Sequence, residues 1–153
     1  MPCQSVASIA AVAALAALPA AGQVVTECAQ SWVASPAHIA EPWEANTRTF
    51  ANGAIRLAVL DTLGEPACCA VHLLVLSPNA RAELSPHVEC RVISATDGLG
   101  WADMDLREVD ASHDPARGLL VDVPIWTYVD GLNDLPGRLR VRINQATGAV
   151  TVE

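Results

Sequence analysis

The chain contains no lysine: all nine of its basic residues are arginine, set against 17 acidic ones for a formal charge of −8. That balance excludes the broad cationic face by which proteins hold nucleic acid or an anionic membrane surface. Tyrosine and phenylalanine occur once each, so of the aromatic residues only the four tryptophans recur. There is no Gly-rich phosphate loop, no dinucleotide fingerprint and no Gly-x-Ser-x-Gly elbow, which removes the commonest sequence signals of nucleotide binding and serine hydrolysis. Beyond residue 22 no apolar pattern of helical period extends over ten residues, and no segment repeats, so helical bundles and solenoids are excluded as well.

What is present begins with an uncharged run, Val6 to Leu18, followed by Pro19, Ala20, Ala21 and Gly22. This resembles the apolar core and small-residue cleavage region of a secretory leader, although MPCQS supplies only the terminal amine as a positive charge. The run is shorter than the roughly 20 apolar residues needed to span a bilayer, and VVTE before Cys28 is no lipoprotein signal. Residues 1–22 therefore read as a signal peptide, with a periplasmic or secreted protein that has no membrane span in its mature chain. Loss of Cys3 with the leader leaves Cys28, Cys68, Cys69 and Cys90, an even number in an oxidising compartment.

Residues 23–44 lack a period of 2 or 3.6 and read as an irregular segment lying across the domain, with Trp32 and Trp43 as its anchors. Residues 45–153 read as a single β-domain. Asn52-Gly53 favours a two-residue type I′ turn. After it, Ile55, Leu57 and Val59 form an apolar face, and a turn at TLGEP sets Asp61 opposite Ala67 and Val59 opposite Cys69. Cys90 and Val92 alternate with Glu89 and Arg91, Met104 and Leu106 with Asp103 and Asp105, and Leu119, Val121, Val123 and Ile125 with more polar neighbours. Pro124 removes a ladder donor and implies an edge strand or a bulge. Leu139, Val141 and Ile143 alternate with Arg138, Arg140 and Arg142, and NQATG leads into a last strand with Val150 and Val152. The expectation is an all-β fold, a β-sandwich or partly open barrel of about eight short antiparallel strands.

Candidate chemistry is sparse. Adjacent Cα atoms lie about 3.8 Å apart, below the usual 4.4 Å minimum for a disulfide, so Cys68 and Cys69 are expected to bond other cysteines from opposite faces of one strand. Parity gives Cys69 with Cys90 and Cys68 with Cys28. Cys68 and His72 share a face but lie roughly 13 Å apart on a strand, too far for one metal ion, and His87 with Cys90 fails similarly. No cofactor is expected. Ser112, His113 and Asp114 are contiguous and read as turn chemistry rather than a triad. Asp103 and Asp105, at spacing 2 on a strand, could form an acid–base pair but read as a solvated face, and DGLND lacks calcium-loop spacing. The three alternating arginines form a cationic stripe that Asp103 and Asp105 could neutralise.

Trp126 and Tyr128 project from one outward face of the strand marked by Pro124, and aromatic side chains concentrate at binding hot spots. The alternative is that the N-terminal segment, with Trp32 and Trp43, folds over them. The sequence thus favours an exported, non-catalytic β-sandwich that binds an envelope component, a small ligand or a protein through Trp126 and Tyr128. A secreted hydrolase acting on glycans or peptides, and a periplasmic metal-handling or thiol-redox protein using Cys68 and Cys69, are the alternatives.

Overall fold

The computed structural model describes residues 22–64, 67–82, 87–129 and 134–153; the leader-like run lies outside them. Ten strands form two antiparallel sheets packed face to face, as the alternating pattern requires. The first sheet has the order β1 (Val24–Glu27), β5 (Val88–Ser94), β4 (Val71–Pro78), β3 (Ile55–Asp61), β2 (Thr47–Phe50). The second runs β10 (Ala149–Val152), β9 (Asp134–Asn144), β8 (Gly118–Tyr128), then β6 (Asp103–Met104), with β7 (Asp110–Asp114) also on β8.

The core between the sheets takes Ile55, Leu57 and Val59 from β3, Leu73 and Val75 from β4, and the alternating apolar sets of β8 and β9. Trp101, 2% exposed, closes one end beside Met104 and Leu106. Each fully buried Leu, Ile or Val contributes roughly 1.5–3 kcal/mol, so these alternating strands supply most of the folding drive.

Four local expectations are corrected. Asp61 pairs with Val71 and Val59 with Leu73, a register four residues longer than TLGEP allows. Because four is even, the buried face of β3 is unchanged, but Cys68 and Cys69 leave the strand for the connection. In β5, Ile93 faces the main core while Val92 joins a second cluster with Val33 and Leu60 on the outer face, so Cys90 also points outward. The Asn52-Gly53 turn carries three consecutive residues of positive φ, Ala51, Asn52 and Gly53, between paired Phe50 and Ile55. It is therefore a four-residue connection rather than a type I′ turn. Pro124 sits in the interior of β8, paired with Arg138 of β9, and its carbonyl accepts from Asp105 N–H at 3.1 Å. Carbonyl and nitrogen of one strand residue face the same neighbour, so the missing donor falls in the gap between β6 and β7. Neither an edge nor a bulge is needed.

The N-terminal segment is not wholly irregular: β1 pairs with β5, Val24 opposite Ser94. Two short 3₁₀ turns follow, Cys28–Gln30 and Pro36–His38, the second capped by the Ser35 hydroxyl accepting from Ala37 N–H. Val33 and Ile39 pack on Leu60, Leu74 and Val92, so the segment covers the outer face of the first sheet. Trp32 and Trp43, 64% and 56% exposed, are not its anchors.

Candidate functional site

The strand registers bring several loops to one pole of the sandwich. Asp61 opposite Val71 places the β3–β4 connection there, and the bridge between Val71 and Trp101 adds the turn after β5. Ala102 N–H donates to the Trp126 carbonyl at 2.9 Å, which brings the end of β8 and the start of β9 to the same pole. Trp126, half-buried, lies on the outer face between Asp103 and Pro136, and Tyr128 opposite Asp134. The N-terminal segment covers the other sheet, so it does not cover these two residues.

Large apolar side chains are exposed at this pole: Leu63 (76%), Leu99 (43%), Tyr128 (42%), Val129 (57%) and Leu135 (62%). The cause is legible in the hairpin. Leu135 opposes Thr127 two residues beyond the Ile125–Gly137 pair, so it keeps the inward parity but extends past the end of the core. Leu63 has φ +62, a conformation that turns the chain sharply, and its N–H is held by the Asp61 carboxylate at 2.8 Å. Leu99 sits in the turn closed by reciprocal backbone bonds with Thr96.

Cys28, Cys68, Cys69 and Cys90 pair otherwise than parity suggests. Cys28 bonds Cys90 with Cα atoms 5.4 Å apart, fastening the N-terminal cover to β5. Cys68 bonds Cys69, Cα atoms 3.8 Å apart. The physical reason is the longer connection: once both cysteines lie outside a strand, opposite-face parity no longer directs them. The Cys69 carbonyl accepts from Gly100 N–H at 2.7 Å, and a Cβ on Gly100 would meet the Val71 oxygen at 2.2 Å. Glycine is thus required for this backbone to approach the cysteine loop.

The remaining candidates separate in space. Asp105 accepts from the Arg107 guanidinium, which holds its carboxyl below the usual range, whereas Asp103 turns back to accept from Met104 N–H at 2.7 Å. The arginine stripe is neutralised by other acids than Asp103 and Asp105: Arg138 binds Asp122 and Asp110, and Arg142 binds Glu153. Ser112 and His113 lie on β7, and Asp114 accepts from Ala116 and Arg117 N–H in the following turn, which lowers its carboxyl. Only Asp134 of the DGLND stretch lies within the described residues. Among the described residues no group of three metal-ligating side chains converges, and no helix is long and apolar enough to cross a membrane.

His72 is 1% exposed on the covered outer face, its Nδ1 2.8 Å from the Ser94 hydroxyl. Burial, assisted by nearby His38, lowers its pKa to about 4. Its pairing with Leu60 sets it on this outer face, away from the cysteine with which the sequence grouped it. A groove of about 190 Å³ also lies beside Trp43, lined by Ala58, Leu74 and Leu76 with Arg56 on its wall. No protein-family model, curated protein or solved structure matches the chain.

Proposed function

We propose that this is an exported, non-catalytic β-sandwich that binds a protein partner through the pole carrying Tyr128. One observation carries the reading: five of the eight large apolar residues exposed among the described residues lie on three neighbouring connections or on the strand ends that flank them. Monomeric proteins seldom leave contiguous apolar patches open unless something docks there. Rigid strands presenting apolar loop tips at one end are suited to recognition, because the scaffold lowers the ordering cost of binding. Trp126 and Tyr128 extend the patch onto the outer face of the second sheet. The leader-like run and the paired cysteines support export, and the ion pair of Asp105 with Arg107 weighs against the hydrolase reading.

Site-specific photocrosslinking tests the proposal in the exporting cell. A crosslinker at Val129 or Leu135 is expected to trap one discrete partner, whereas one at Ala146, at the opposite pole, traps none. Crosslinks from Ala146 alone would refute the assignment of the pole.

A thiol-redox role is the second reading, favoured by the bond between half-exposed Cys68 and Cys69 at this same pole. Cycling of this bond by a dithiol oxidoreductase of the export compartment, followed by thiol alkylation and mass spectrometry, would support it. A bond that stays oxidised throughout speaks for a purely structural role.

A further inference from the structure

Resting on the reading of this pole as a binding surface, we infer that its partner presents a basic amphipathic segment, with apolar side chains flanked by lysine or arginine. Asp61, Asp97 and Asp134 lie within two residues of Leu63, Leu99 and Leu135 in the chain, Asp103 pairs opposite Trp126 on the flank, and Asp97, Asp103 and Asp134 are exposed. No described residue of the three connections is lysine or arginine.

The segregation of charge is a consequence of register. Arg56, opposite Leu76, lies at the end of β3 far from the pole, and Arg91, opposite Val75, sits in the middle of β5. Arg138 lies opposite Pro124 in mid-strand, with Arg140 and Arg142 further from the pole along β9. Arg107 is held by Asp105 at 2.8 Å and also faces Asp103 on the flank. The apolar tips therefore stand beside Asp61, Asp97 and Asp134 with no arginine on their own connections, whereas Asp103 on the flank faces Arg107.

Three occupants fit such a surface unequally. A second copy of the chain would bring the same carboxylates together, and an anionic bilayer would face them with like charge. Both cost free energy on approach. A basic amphipathic segment meets both features at once: its apolar side chains cover Leu63, Leu99 and Leu135, and its cations face the aspartates. Complementary charge of this kind raises association rate and selectivity more than it raises final affinity, and salt screens it.

The test uses the mature, oxidised protein, isotopically labelled, titrated with a synthetic Leu/Lys amphipathic peptide and with its Leu/Glu counterpart. Saturable amide shifts from the Leu/Lys peptide are expected at Leu63, Leu99, Tyr128, Val129 and Leu135, weakening about tenfold when the salt concentration is raised from low to near 0.3 M. The Leu/Glu peptide is expected to give none. Asp97→Asn with Asp134→Asn is expected to weaken the Leu/Lys peptide about fivefold, while Glu41→Gln with Glu44→Gln, on the N-terminal cover, leaves it unchanged.

Shifts spread over the whole acidic surface, equal binding of the two peptides, or self-association through the pole would overturn the inference. If photocrosslinking at Val129 traps a partner while the Leu/Lys peptide is ignored, the pole remains the binding surface and the basic character of the partner falls. If the peptide binds the pole but no partner is trapped, the surface chemistry stands and the cellular role falls.

Discussion

Cys28 is bonded to Cys90 across 62 residues of sequence, and this bond ties the segment covering the first sheet to the strand next to its edge. In the chain-entropy model a loop of that length is worth about 4 kcal/mol. Cys28→Ser with Cys90→Ser is therefore expected to lower the urea unfolding free energy by a large part of that amount. The Cys68–Cys69 bond closes almost no chain, so Cys68→Ser with Cys69→Ser is expected to change it by less than about 1 kcal/mol. Equal losses in the two variants would show that the cover is held by packing rather than by its bond.

His72 gives the stability a pH dependence of known sign. Its pKa falls from 6.5 to about 4 on folding, chiefly through burial, so between those values the unfolded chain binds the proton and the folded one does not. Stability is full above about pH 6.5, declines as the pH falls toward 4 and levels off below. With allowance for solvent screening the drop is on the order of 2 kcal/mol. Denaturant unfolding from pH 7 to 4 measures it, and His72→Gln is expected to flatten that part of the profile. An unchanged slope in the variant would assign the acid sensitivity to other groups.

Ser77 is fully buried on β4, and its hydroxyl makes no hydrogen bond among the described residues. Removing a buried polar atom that has no partner relieves a desolvation cost of roughly 1–3 kcal/mol, offset by the small void left behind. Ser77→Ala is expected to unfold at equal or higher denaturant concentration than the natural protein. A clear loss of stability would mean that the hydroxyl has a partner outside the described residues.

Gly118 opens β8 with φ +91, and a Cβ there would approach the Ile143 backbone oxygen to 2.3 Å. Gly118→Ala forces both a rare backbone conformation and a clash with main chain that cannot swing aside. A loss of about 2 kcal/mol or more in thermal or urea unfolding is expected, whereas Gly53→Ala, with nothing near its Cβ, bears only the conformational part.

Much of the fold was legible because period-2 alternation survives wherever one face is buried: the inward sets of β3, β8 and β9 were read correctly residue by residue. The longer β3–β4 connection was not legible, since an even slip preserves every inward residue and leaves no trace in the apolar pattern. That slip also hid the cysteine pairing. β5 misled because both its faces are covered, one by the other sheet and one by the N-terminal segment, so Val92 and Ile93 are equally buried. Of the candidate site, Trp126 and Tyr128 were visible as outward aromatics. Leu63, Leu99, Val129 and Leu135 were not, because a leucine in a turn looks the same in sequence whether it folds inward or stands in solvent. Trp32 and Trp43 were assigned to anchoring on residue type alone, and the smaller Val33 and Ile39 perform it.

Whether the pole binds or stabilises is decided by partner capture with Leu63→Ser, Leu99→Ser and Leu135→Ser combined, measured on protein whose unfolding free energy is determined in parallel. Exposed leucines contribute little to folding, so stability should change by less than about 1 kcal/mol while capture by the Val129 crosslinker disappears. Undiminished capture, or a loss of several kcal/mol of stability, would contradict binding at the pole.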